Sequence, residues 1–254
     1  MGRRFEPAGP LRGTLRPPAD KSISHRAALI AAMGEGETRI EGYLDAADTR
    51  STLWAVQELG ATVSRPGQSV FDQDLRIRGV GLRGPRSASV DVGNAGTLLR
   101  LLPGWLAGQE AGTWTLDGDE SIRRRPVDRI AEPLKLMGAR LSCREDRFTP
   151  VAVHAAPLHG IDYELPVASA QVKSCLLFAG LLASGETRVV ELLPTRDHTE
   201  RMLAAAGAEL ERGEGFVTVR PAQRLEPGEI AVPADFSSAA FLIVAALLVE
   251  GSDV

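Results

Sequence analysis

Three lysines stand among twenty-six arginines in this 254-residue chain, and two of them, Lys21 and Lys173, fall where helices are expected to begin. In so arginine-rich a chain, a lysine marks a place where a compact, titratable amine is wanted. The third, Lys135, falls mid-helix and reads as a solvated surface charge. Ser22, Ser24 and Arg26 run beside Lys21, and Ser169, Ala170 and Gln171 precede Lys173. A third such start is Gly93-Asn94-Ala95-Gly96-Thr97 with Arg100, and a fourth is Ser237-Ser238. The free N–H groups and positive dipole end of a helix N-terminus favour anions. The same residue types are good N-caps, so each start taken alone reads first as a cap. Four of them accompanied by basic residues point to an anion site.

Other chemistries are poorly supported. Cys143 and Cys175 fit no metal or redox spacing, and His25, His154, His159 and His198 form no ligand motif. A formal net charge of −4 argues against binding nucleic acid by bulk charge. With 44% hydrophobic and 24% charged residues, the chain is expected to fold as a globular protein. Residues 1–7 hold no apolar stretch of the kind a secretory signal needs. The longest apolar run, Ala239 to Val249, is too short to span a bilayer and reads as a buried helix. A cytoplasmic location is expected, with neither a membrane nor a nucleic-acid partner.

The elements that must position these residues recur with a period of about seventy residues. One unit shows Ser22-Ile23-Ser24, an apolar helix from Arg26 to Met33, Gly36-Glu37-Thr38-Arg39-Ile40 and Gly60-Ala61-Thr62-Val63. Another shows Ser169-Ala170-Gln171, a helix from Val172 to Leu182, Gly185-Glu186-Thr187-Arg188-Val189 and Gly207-Ala208-Glu209-Leu210. Between them lies a more divergent copy with a helix from Leu98 to Leu106, then Gly112-Thr113-Trp114-Thr115 and Gly138-Ala139-Arg140-Leu141. The tripeptide Pro18-Ala19-Asp20 returns as Pro233-Ala234-Asp235. Each unit reads as βαβαββ. Its first helix is apolar nearly all round and belongs inside. Its second is amphipathic, over Thr49 to Leu59, Pro126 to Met137 and Thr199 to Ala206, with Pro126 suited to a first turn. Three units closing around their buried helices give an α/β fold with sheets outside and pseudo-threefold symmetry. Trp54, Trp105 and Trp114 read as packing residues.

Asp20-Lys21-Ser22-Ile23-Ser24-His25-Arg26 and Gly93-Asn94-Ala95-Gly96-Thr97 resemble the two signature segments of the 5-enolpyruvylshikimate-3-phosphate synthases. Arg125-Pro126, Ser169-Ala170-Gln171 and Arg196-Asp197-His198-Thr199 follow in that family's order, and the likeness runs from about Pro7 to Val254. The resemblance implies an inside-out α/β barrel of the enolpyruvyl transferase type. It also implies transfer of the enolpyruvyl group of phosphoenolpyruvate to the 5-hydroxyl of shikimate-3-phosphate, with release of phosphate and no metal or organic cofactor. Such a reaction needs fixed cations for two anionic substrates and a proton donor for the methylene carbon.

By the same resemblance Lys21 contacts both substrates and takes part in proton transfer. Ser22, Arg26, Ser169, Ala170, Gln171 and Arg196 bind shikimate-3-phosphate, Ala170 through its backbone alone. Asn94, Gly96, Thr97, Arg125 and Gln171 bind phosphoenolpyruvate. For Arg100 the favoured reading is an ion pair with an acid of a neighbouring unit. Gly96 leaves room for the inhibitor glyphosate, whereas the segment at Ser169 resembles the glyphosate-insensitive class, so sensitivity stays open.

Family members have two domains with the site between them. The resemblance therefore implies a complete three-unit domain over residues 20–228. Residues 1–19 and 229–254 are then pieces of a second domain, with crossovers at Pro17-Pro18-Ala19-Asp20 and around Glu226 to Glu229. On this reading the chain is the N-terminal part of a protein that is monomeric when complete. The chain alone is expected to be inactive, and to self-associate through the helix at Ala239 to Val249. Two alternatives are a non-catalytic anion-binding fragment and a UDP-N-acetylglucosamine enolpyruvyl transferase. Against the latter, Glu120 stands where that family carries a cysteine.

Overall fold

The computed structural model describes residues 9–66 and 74–254. The N-terminal stretch 1–7, with Pro7 where the likeness begins, lies outside the described residues. So does the start of the expected 1–19 piece.

The first unit contains α1 (Lys21–Met33), β1 (Glu37–Glu41), α2 (Ala47–Glu58), β2 (Thr62–Ser64) and β3 (Leu75–Arg78). The second contains β4 (Ala88–Asp91), α3 (Gly96–Ala107), β5 (Thr113–Asp117), α4 (Asp128–Leu136), β6 (Arg140–Arg144) and β7 (Phe148–His154). The third contains β8 (Asp162–Glu164), α5 (Ala170–Gly180), β9 (Thr187–Val190), α6 (His198–Ala205), β10 (Leu210–Gly213) and β11 (Phe216–Val219). After them come β12 (Glu229–Ala231) and α7 (Phe236–Leu248).

Helices α1, α3 and α5 are the apolar ones, and they form the centre. Ala27 to Met33 of α1 and Cys175 to Ala179 of α5 are fully or almost fully buried. A helix apolar on every side finds no water-facing orientation, so the amphipathic α2, α4 and α6 and the sheets must cover it. Gly104 lets α3 and α5 meet: a β-carbon there would come within 2.1 Å of the Cys175 carbonyl oxygen. Trp105 and Trp114 are buried, as expected, and their indole N–H groups donate to the carbonyls of Leu82 and Arg86, each at 2.8 Å. Trp54 instead lies 61% exposed on α2, because its position faces away from the centre.

Each sheet has four strands in the same pattern, ordered β4-β5-β7-β6 and β8-β9-β11-β10 in units two and three. The first pair is parallel and the others are antiparallel. In unit one the order is β12-β1-β3-β2. The strand expected before α1 is therefore supplied from the far end of the chain, with Arg39 opposite Glu229 and Glu41 opposite Ala231 in parallel register. Arg39 reaches across this pairing to Glu229 at 3.2 Å and along its own strand to Glu41 at 2.7 Å. Glu229–Ala231, just past the boundary expected at residue 228, completes the first sheet.

The chain meets its own entry segment at Pro233 to Asp235. The Asp20 N–H donates to the Pro233 carbonyl and the Asp235 N–H to the Pro18 carbonyl, each at 2.8 Å. Both aspartates cap a helix: Asp20 Oδ1 accepts the Ile23 N–H at 2.8 Å and Asp235 Oδ1 the Ser237 N–H at 2.9 Å. Pro126 precedes α4 instead of entering it, because Val127 with φ −120° is the N-cap, its N–H donating to the Arg147 carbonyl at 2.8 Å. The helix read as buried at Ala239 to Val249 is α7, and none of its residues is buried. Phe241, Leu247 and Leu248 are about four-fifths exposed, as 82%, 79% and 80%.

Candidate active site

The first turns of α3 and α5 meet. Gln171, second residue of α5, donates from Nε2 to Thr97 Oγ1 at 3.1 Å, and Thr97 is the second residue of α3. Ahead of α3, Asn94 is fixed from both sides. Its Nδ2 donates to Asp119 Oδ2 at 2.6 Å, and its Oδ1 accepts from Arg125 Nη2 at 2.6 Å. Arg125 also donates to Ser121 Oγ at 3.2 Å. The Asp119 carboxyl lies below the usual carboxylate range, chiefly through the Ile122 backbone N–H and then the Asn94 amide.

Gly96 opens α3 beneath two guanidinium groups. A β-carbon there would approach Arg125 Nη1 to 2.9 Å and Arg100 Nη1 to 3.0 Å. Arg100 was expected to pair with an acid of a neighbouring unit. Its bonds go instead to the carbonyls of Gly96 at 3.2 Å and Pro126 at 3.5 Å. Burial, Arg125 and Arg129 together lower its pKa. Among the described residues neither Arg100 nor Arg125 has an ion pair with a carboxylate. Two close guanidinium groups at a helix N-terminus, with Asp119 acting on Arg125 only across Asn94, make a positively charged corner.

A second group lies where α1, α5 and α6 converge. Arg26 is 3% exposed. Its Nε donates to Thr199 Oγ1 at 2.7 Å, its Nη2 to Ser174 Oγ at 2.9 Å and its Nη1 to the Ser22 carbonyl at 3.0 Å. Ser174 Oγ donates to the Ala170 carbonyl at 2.6 Å, so the Thr199 hydroxyl is the donor in their 2.6 Å contact. The bonds then run one way, from Arg26 through Thr199 and Ser174 to the first turn of α5. Burial lowers the Arg26 pKa to about 10, which leaves it charged at neutral pH.

Lys21 is the first residue of α1, with its side chain 50% exposed, and its Nζ donates to Asp48 Oδ2 at 3.0 Å. Ser169 caps α5 by accepting the Val172 N–H at 3.4 Å, so its capping role is realised and its hydroxyl hydrogen remains to donate. Arg196 is exposed, donates to Ser237 Oγ at 3.3 Å, and acts on Arg26 through its charge without bonding it. Lys173, expected beside the anion-binding helix starts, is 1% exposed and bound to two glutamates, hence unavailable to a ligand.

Asp48, Asp119, Ser174 and Thr199 support site residues and were not singled out from sequence. Asp48 in the first turn of α2 carried a signal, since a carboxylate is favoured there. Among the described residues, no cluster of three or more His, Cys, Asp or Glu side chains could hold a metal ion. No helix among them is long and apolar enough to cross a membrane.

Comparison with known proteins finds one family along this chain. The family model described as EPSP synthase (3-phosphoshikimate 1-carboxyvinyltransferase) matches residues 5–254. A 3-phosphoshikimate 1-carboxyvinyltransferase of Alkalilimnicola ehrlichii is 51% identical, over 100% of this chain and 56% of the relative. The protein of the same description from Methylococcus capsulatus is 48% identical over 98% of this chain and 56% of its own length. A solved EPSP synthase from Acinetobacter baumannii superposes with a TM-score of 0.87 at 42% identity, covering 97% of this chain and 55% of that one. The chain thus spans just over half the length of the relatives it matches.

Proposed function

The chain belongs to the EPSP synthase family, and on that premise we propose that it supplies one wall of a site that transfers the enolpyruvyl group of phosphoenolpyruvate to the 5-hydroxyl of shikimate-3-phosphate, releasing phosphate. The observation that carries this reading is the positively charged corner at Gly96. There Arg125 and Arg100 converge with no carboxylate partner among the described residues, on a helix start hydrogen-bonded to the next one through Thr97 and Gln171.

In this reading Asn94, Gly96, Thr97 and Arg125 receive phosphoenolpyruvate, and Gln171 lies between the two substrates. Ser22, Arg26, Ser169 and the Ala170 backbone receive shikimate-3-phosphate. Arg26 acts largely by its charge, because most of its surface is already covered. Arg196 joins them if its contact to Ser237 gives way. Lys21 is the proton-transfer group, oriented by Asp48, and its half-exposed amine can reach a bound hydroxyl. The three units over residues 20–228, joined by β12, form one body, and the flanking segments belong with a second. Two multiply charged substrates cross no bilayer unaided, so a cytoplasmic location goes with the proposal.

The chain alone is proposed to bind anionic substrate without turning it over. Titration with shikimate-3-phosphate and with phosphoenolpyruvate, each followed by calorimetry, tests binding. A phosphate-release assay with both tests turnover. Saturable binding without release supports the reading, and absence of binding to either substrate refutes it. Release at an ordinary enzymatic rate refutes the inactivity of the isolated chain.

A further inference from the structure

The partners of Arg26 are all neutral: two hydroxyls and a carbonyl. That is unusual for a guanidinium only 3% exposed, because a buried cation ordinarily takes a carboxylate. A carboxylate is at hand. Glu200 directly follows Thr199 on α6, is itself 3% exposed, and acts on Arg26 through its charge. It is occupied instead by Lys173, whose Nζ lies 2.6 Å from Glu200 Oε1 and 2.7 Å from Glu191 Oε2. Lys173 adjoins Ser174 in sequence just as Glu200 adjoins Thr199. The pair of side chains that bonds Arg26 and the pair that forms this ion contact are therefore neighbours on the same two helices.

The rest of the cluster is arranged to keep that contact. Glu191 is held by the Thr195 hydroxyl. The second oxygen of Glu200, Oε2, is buried and has no hydrogen-bond partner. A carboxylate with a spare buried oxygen would gain from an arginine, so its failure to take Arg26 calls for a competitor, and Lys173 is that competitor. The cluster borders a cleft of about 350 Å³ that also touches Arg212 and Phe216, on the side of β9 and β11.

We infer that Lys173 is a positioning residue: by binding Glu200 and Glu191 it keeps a carboxylate from bonding Arg26, so that the guanidinium stays open to an anionic substrate. This rests on the proposed role of Arg26 in binding shikimate-3-phosphate. Lys173 itself touches no substrate. The residue type fits the task, since a compact ammonium can sit between two carboxylates in a space too small for a guanidinium.

The test uses the whole chain with ¹⁵N-labelled arginine, the Arg26 Nε–H resonance being assigned by its absence in Arg26→Lys. Lys173→Met should move that resonance as Glu200 captures the guanidinium. It should also weaken shikimate-3-phosphate binding by about tenfold or more. Adding Glu200→Gln to Lys173→Met should restore both, since no carboxylate adjoining Thr199 is left to compete. A structural role alone predicts the opposite, with the double variant no better than the single one. If Lys173→Met does not fold, a folded double variant with the wild-type resonance supports the inference. A double variant that is unfolded, or has a displaced resonance, overturns it. An unmoved resonance in folded Lys173→Met overturns it whatever the titration gives. If the resonances behave as expected but the wild-type chain does not bind shikimate-3-phosphate, the functional reading fails and the positioning of Arg26 stands.

Discussion

Gly96 and Arg125 are in contact across the start of α3, close enough that a single added methyl group would stand 2.9 Å from Nη1 of the arginine. The neighbour that must yield is the far end of a flexible side chain, and the Gly96 backbone is not in the left-handed region. Gly96→Ala is therefore expected to fold normally, with thermal stability equal or raised by up to about 1 kcal/mol from the better helix former. The displaced guanidinium should weaken phosphoenolpyruvate binding by about tenfold. Thermal melts and a phosphoenolpyruvate titration check the two signs separately. Unchanged affinity would refute the steric account, and comparing glyphosate in the same titration addresses the question of sensitivity.

Arg100 and Arg125 repel each other with no anion between them. Replacing Arg100 with glutamine is expected to raise the melting temperature in anion-free buffer. The same change should shrink the further increase produced by inorganic phosphate. The effect on stability is expected near 1 kcal/mol, reduced because Arg100 is only partly buried. Calorimetric scans of both proteins, with and without phosphate, measure it.

Much of this arrangement was legible from residue types, and what was missed has a common cause. The buried helices, their polar starts and the glycine punctuation are local patterns within about thirty residues, where periodicity and turn chemistry decide the outcome. The start of α5 illustrates both halves: the capping role of Ser169 follows from its position alone, whereas the link of the Ala170 carbonyl to Arg26 through Ser174 does not. The burial of Lys173 depends on Glu191 and Glu200, carried by other elements. No local signal distinguishes a lysine that faces a ligand from one that faces two carboxylates. Likewise β12 joins β1 from the opposite end of the chain, and a three-residue strand carries too little pattern to announce a distant partner. For Arg100 the residue type alone favours an acid partner, and its bonds to the Gly96 and Pro126 carbonyls depend on how α3 meets the segment before α4.

His25 is buried on α1, with Nδ1 2.6 Å from Thr52 Oγ1, and burial pushes its pKa from 6.5 down to about 4. The unfolded chain then takes up a proton near pH 6.5 that the folded chain refuses until about pH 4. Stability from this group is complete above the upper value and is lost as pH falls between the two, by about 3 kcal/mol in all. His25→Leu should lose this part of the pH dependence. Chemical denaturation of both proteins at about pH 7.5 and about pH 5 should show the wild type losing more stability on acidification. Equal losses would contradict the assignment.

The exposed apolar side chains of α7 are expected to make the 254-residue chain associate with itself at micromolar concentration and above. Replacing Phe241 and Leu247 together by glutamate should shift the protein toward monomer without lowering the stability of the three-unit body. Neither side chain is buried, so neither holds that body together. Sedimentation velocity across a concentration series checks this. A wild-type chain that stays monomeric throughout would count against it.

The bridge between Ala19 and Ala234 has a topological consequence. Because the chain enters and leaves the three units at one point, and β12 lies inside that span, residues 20–234 hold every strand of all three sheets. Their two ends meet there, so the place where the backbone is cut is incidental to their packing. Linking Asp20 to Ala234 through a short turn and opening the backbone at the exposed β10–β11 turn would give a circular permutant with the same contacts. The three units in that sense begin and end at one point of the chain, between two segments that pass side by side.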